Sequence, residues 1–194
     1  MTTAIRTGPA DIPGLSALLG AALHDNPLSA HYQPDPERRR TALPAHFTAL
    51  LTGWVRADPE LVRVWTTAER DAITVWTHAD HTEGSSDDDL ADLLGTHSAR
   101  RFAEAVAVAD AHEPPEPHHT FQLAATDPSR RKQGLGTTVV APGLAWCDTD
   151  HMPAYCWTAH DIVVPWLKTY GFRVIWTDRA PGGLTMYGAW RDPR

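Results

Sequence analysis

The stretch RRKQGLGTT, Arg130 to Thr138, sets three cations and a polar amide ahead of two glycines separated by one residue. Gly134 and Gly136 remove side chains where a ligand must approach the backbone, and Arg130, Arg131 and Lys132 add positive charge beside them. The chemistry this suits is capture of a phosphate-type anion. A strand that feeds a turn and then a helix aims the helix's unpaired amide groups at whatever occupies the turn. The flanking sequence supplies that order: Thr120 to Ala125 reads as a strand, TDPS as a turn and Gly134 to Cys147 as a helix. The spacing fits neither the G-x-x-x-x-G-K-[ST] loop nor the dinucleotide pattern G-x-G-x-x-G.

Histidine and cysteine are the other reactive groups. Among the eleven histidines, His78 with His81 and His118 with His119 are neighbours in sequence, but neither pair has a third ligand at a recognisable spacing, so no metal is expected. Cys147 and Cys156 read as buried free thiols. The eight tryptophans, Trp65, Trp76, Trp157 and Trp166 among them, suit either the core or the wall of a pocket for an aromatic or extended group. The run Arg38 to Arg40 reads as a solvated helix face, with contact to an acidic carrier protein as the alternative.

The scaffold expected to position these groups is a single domain over 1–194, with no internal repeat or linker. Ala4 to Arg6 is a short strand, and Pro9 to Leu23 carries leucines at helical spacing. HDNPLSAHYQPDP breaks that helix, and Pro36 opens the next, with Leu43, Phe47, Leu50 and Leu51 on one face. LVRVW and AITVW alternate as a hairpin around AERD. EGSSDDD reads as a loop leading into a helix from about Leu90 to Ala109, which ends before HEPPEP. After the strand–turn–helix come a strand at Ala154 to Thr158, a helix at Ile162 to Tyr170, and strands at Phe172 to Thr177 and Leu184 to Trp190 around APGG. This order predicts an α/β fold with a mixed central sheet flanked by helices.

Composition narrows the function. A formal charge of −7 argues against general nucleic-acid binding, so the basic run needs a local anion. No segment reaches the about 18 apolar residues of a membrane span, and MTTAIRTGPADIPG has no apolar signal region; a cytoplasmic protein without membrane partners is expected.

Arg131-x-x-Gly134-x-Gly136 resembles the Arg/Gln-x-x-Gly-x-Gly/Ala signature of the GNAT acyltransferase superfamily, whose loop binds the pyrophosphate of acyl-coenzyme A. From HEPPEP to GFRV the chain is similar to the puromycin N-acetyltransferase group of that superfamily, through DP in the turn, GLG and VVAPGL on the helix and PAY on the next strand. ADIPGLSALL and VRVWTTAERDAITVWT extend the likeness over nearly the whole chain. The resemblance implies a GNAT fold and transfer of an acyl group from a pantetheine thioester, acetyl-CoA above all, to an amine of a small molecule such as an antibiotic or biosynthetic intermediate, with no metal. An acyl carrier protein as donor and a catalytically silent binding protein are the alternatives.

By the same resemblance the coenzyme is held by Ala124, Ala125, Thr126, Arg131, Lys132, Gln133, Gly134, Leu135, Gly136 and Thr137. The family's acid and base are replaced: Trp157 stands at the acidic position, Val163 at the Asn and Leu167 at the tyrosine that protonates the leaving thiolate. The substitutes expected for proton transfer are His160 beside Asp161, then His119 at the central strand, and Tyr170 one helical turn beyond Leu167.

Overall fold

Among the described residues the alternating segments form seven strands: β1 (Ala4–Arg6), β2 (Val62–Thr67), β3 (Ala72–Thr77), β4 (His119–Thr126), β5 (Ala154–Thr158), β6 (Arg173–Ala180) and β7 (Leu184–Arg191). They build one sheet in the order β1-β2-β3-β4-β5-β7-β6 in the computed structural model, which describes residues 2–81 and 87–194. All neighbours are antiparallel except β4 and β5, which run parallel. The sheet is mixed and flanked by helices, as the order of elements predicts.

Those helices are α1 (Ile12–Ala22), α2 (Pro27–Tyr32), α3 (Pro36–Arg56), α4 (Asp87–Leu94), α5 (Thr96–Ala111), α6 (Leu135–Thr149) and α7 (Val164–Thr169). Two differ from expectation. The segment read as a helix breaker contains α2, because Pro27 occupies its first turn and the Asn26 side chain accepts the Leu28 N–H at 2.9 Å. The single helix expected from Leu90 is two helices, divided at Gly95, whose φ of 81° no helix tolerates. Of EGSSDDD, Glu83 to Ser86 lie outside the described residues, and α4 begins at Asp87.

Side chains alternate across β3, so Val75 and Trp76 face opposite layers. Val75 joins Ile73, Val62 and Val64 under α1 and α3, where Leu15, Leu19, Leu43, Phe47 and Leu51 are buried. Trp76 joins Phe121 under α6, with Val140, Trp146 and Cys147, and this layer extends to Leu167 of α7 and to Phe172. On α5, Ala105 and Ala109 pack with Ala159, Ala180 and Met186.

Two irregularities lie in β4. Opposite β3 the pairing passes from Val75 with Leu123 to Trp76 with Phe121, so Gln122 is the extra residue of a bulge. A bulge bends its strand and increases the local twist. On the other side, pairing with β5 covers only His119 with Ala154 and Thr120 with Tyr155. Beyond Thr120 the two parallel strands diverge.

Candidate functional site

The loop between β4 and α6 is built by local hydrogen bonds. The Asp127 carboxylate accepts the Ser129 hydroxyl and N–H at 2.7 and 2.8 Å, and these bonds hold its pKa below the usual carboxylate value. Arg130 turns inward: its Nε donates to Gln133 at 3.0 Å and its guanidinium pairs with buried Asp71 at 3.0 Å. This cation clamps the loop to the β2–β3 turn and is not free for a ligand. Arg131 also has a protein partner, donating to the Ala22 carbonyl at 3.1 Å at the end of α1. Lys132 is exposed and left-handed, with φ 63°, a conformation that costs a non-glycine residue about 1–2 kcal/mol.

Gly134 is the N-cap of α6 at φ 81°, and no side chain caps the helix. The first amides of α6 therefore have no intrahelical acceptor and carry the positive end of the helix dipole. They border a groove of about 370 Å³ lined by Thr126, Arg131, Lys132, Gly134, Leu135, Gly136, Thr137 and Trp166. A Cβ on Gly136 would lie 3.6 Å from both Thr126 Oγ1 and the Trp166 ring, so this glycine keeps the groove open between β4 and α7. Seven of the ten residues expected to hold a coenzyme line this groove. Of the others, Gln133 braces Arg130, Ala125 packs beneath α1 and α3, and Ala124 packs in the α6 layer.

The groove leads to the place where β4 and β5 separate. Both strands point toward the α6 N-terminus, and between them the facing backbone edges lack a partner strand. An uncapped helix N-terminus, a left-handed loop and a divided sheet thus lie along one path, suited to an extended ligand with an anionic group at one end.

The same architecture recurs in solved acetyltransferases. A Corynebacterium glutamicum structure described as histone acetyltransferase HPA2 and related acetyltransferase superposes with a TM-score of 0.74 at 18% identity, over 100% of this chain and 97% of that one. This is the GNAT fold. Drosophila melanogaster polyamine N-acetyltransferase, described as catalysing formation of N-acetylagmatine, gives a TM-score of 0.69 at 15% identity, covering 99% and 100% of the two chains. Ard1 from Thermoplasma volcanium gives 0.61 at 16% identity, covering 100% and 98%. No protein-family model matches the sequence, and no curated protein matches it.

Within the GNAT fold the three residues expected to transfer protons are scattered. Tyr170 lies at the groove: its hydroxyl is 2.8 Å from Thr137 Oγ1 in the first turn of α6, and its ring packs edge-on against Trp166 at 5.0 Å. Leu167 is buried in the core one turn earlier. His160 follows β5 and precedes the short turn into α7, past the point where β4 and β5 separate. Its Nδ1 is buried without a hydrogen-bond partner, and Asp161 lies 3.9 Å away, too far to bond.

His119 is elsewhere. It opens β4, seven residues before Thr126 and about 23 Å from it at the rise of a strand. Its side chain is completely buried, stacked on Trp146 at 4.3 Å and bonded through Nε2 to Asp150 at 3.0 Å. Burial pushes its pKa down, with Asp150 opposing. The expectation that His119 transfers a proton to or from substrate is corrected by this packing, because the side chain is completely buried and not open to a substrate. Both cysteines are buried, and burial pushes each thiol to about 12, so neither supplies a thiolate.

Sequence reasoning missed the β4 bulge at Gln122 and the separation of β4 from β5. Trp166 was legible as a candidate pocket wall, and its position over Gly136, which sets it apart from the other tryptophans, came only with the fold.

Proposed function

We propose that the protein is an N-acyltransferase that moves an acyl group, acetyl first of all, from coenzyme A to an amine of a small molecule. The observation that carries this reading is the uncapped N-terminus of α6 opening onto the Trp166-lined groove at the separation of β4 from β5. In this assignment the amides of Gly134 to Thr137, with Arg131 and Lys132, hold the pyrophosphate, while Thr126 and Ala124 border the pantetheine arm. The left-handed turn at Lys132 and Gly134 supports it, since such a turn points successive amides to one side.

The amine nitrogen attacks the thioester carbonyl, the C–S bond breaks, and the sulfur leaves as thiolate. Positioning the two reactants supplies much of the barrier reduction, and one acid or base adds about two to four powers of ten. We assign His160 to receive the amine proton and Tyr170, held by Thr137, to serve the leaving thiolate. A small amine as acceptor is in keeping with the net charge of −7 and with the N-acetylagmatine product of the Drosophila neighbour. An antibiotic or biosynthetic amine falls within this class, and we assign the reaction to the cytoplasm.

The test is calorimetric titration with acetyl-CoA, coupled to thiol release across a panel of polyamines, arylalkylamines and aminoglycosides. Gly136→Val is expected to abolish donor binding while leaving the circular dichroism spectrum unchanged, because its methyl groups would fill the gap between Thr126 and Trp166. Binding retained in that variant would overturn the groove assignment. Donor binding without thiol release from any amine would favour a silent binding protein, and release only from carrier-linked pantetheine would change the donor.

A further inference from the structure

A group of metal-ligand type lies at the end of the sheet remote from the groove. The register that pairs Thr77 with Thr120 sets His78 directly opposite His119, one step beyond, where the ring centroids are 4.7 Å apart. Asp150, at the C-cap of α6, completes the group. One ligand atom from each of His78, His119 and Asp150 lies within 4.8 Å of the others. Neither histidine pair visible in the sequence forms this site; the fold joins one member of each pair and adds a carboxylate 31 residues further on.

The interior supplies a second observation. Among the described residues, His119 is completely buried yet bonded through one nitrogen only, since Nε2 meets Asp150 and Nδ1 has no partner. An imidazole facing a carboxylate and a second imidazole presents the donor set of a transition-metal ion. The Asp80 backbone N–H donates to His78 Nδ1 at 3.1 Å; ligation through Nε2 would put the ring proton on Nδ1, whose acceptor would then have to be the Asp80 carboxylate 3.5 Å away. The nearest cation, Arg63, is spread over the Trp146 ring at 4.0 Å and paired with Glu60 at 3.6 Å.

We propose that His78, His119 and Asp150 bind a divalent transition-metal ion of the zinc class, with water in the fourth position. Two imidazoles and a carboxylate select such an ion over Mg²⁺ or Ca²⁺, which favour all-oxygen sites. Ligands of tetrahedral zinc stand about 3.3 Å apart. His119 and Asp150 already meet that spacing, and His78, half-buried where β3 ends, would have to move inward to reach it. Binding replaces the proton shared by His119 and Asp150 with the ion. It would tie the end of α6 to the β3–β4 edge without entering the acyl-transfer path, and does not depend on that reaction.

The experiment is titration of the metal-free protein with Zn²⁺, with Mg²⁺ as control, read by calorimetry and thermal melting. One tight equivalent of zinc and a raised melting temperature are expected, with no response to Mg²⁺. His78→Gln and Asp150→Asn alter partly exposed side chains and should fold. Each is expected to weaken zinc binding by more than the about 10–100-fold lost with an outer-layer partner. His97→Gln, an exposed histidine outside the group, should leave binding unchanged. No zinc binding by the wild type, or equal binding in the two ligand variants, would overturn the site.

Discussion

His46 shows how burial alone sets the behaviour of a residue. It lies in α3, 3% exposed, among the rings of Tyr32, Phe47 and Phe102. Desolvation lowers its pKa from 6.5 to about 4. Between those values the unfolded chain binds a proton that the folded chain refuses, so stability is complete above pH 6.5 and falls as pH drops toward 4. The loss is on the order of 3 kcal/mol across that window. Urea unfolding at pH 7 and pH 4.5 should register it, and His46→Phe should flatten the difference. The turn at Gly134 and Gly136 was readable in the sequence because glycines at a strand-to-helix turn leave a composition signature. The roles of the cations beside them were not: Arg130 looks like its neighbours until Asp71, 59 residues earlier, is found facing it.

At the scale of elements, α6 is held by one close approach. A Cβ added to Gly143 would lie 2.2 Å from the fully buried indole of Trp76, so the helix rests its backbone on that ring. Trp76 in turn stacks on Phe121 at 4.3 Å, with the rings nearly parallel. Gly143→Ala should therefore lift α6 and cost about 1–3 kcal/mol, as overpacking does. The check is a lower midpoint in urea, with a matching loss of donor affinity because the first turn of α6 moves too. Strands and long helices were legible because their periodicity is local, and Ala4–Arg6 and Ala154–Thr158 coincide with expectation to the residue. The short α2 was hidden by a proline-rich context, and the break at Gly95 by apolar residues that continue a helical period across it. The bulge at Gln122 left no signal, because it is defined by a partner strand 45 residues away.

For the whole molecule, the order of helices and strands implied a mixed sheet, but strand order and the single parallel junction came only with the fold. That junction comprises two residue pairs, whereas β5 with β7 has five and β3 with β4 has six. Mechanically, the sheet is two rafts moored at one corner. Amides along Gln122 to Thr126 that face the open side should exchange their hydrogens for deuterium rapidly in the free protein, since no neighbouring strand shields them. Saturation with acetyl-CoA should slow those amides more than the ones facing β3, in a mass-spectrometric time course. An unchanged exchange pattern would place the donor off this path. Under the proposed function, a protein moored this way would gain rigidity from its donor, and each turnover would return it to the looser state in which the next donor can enter.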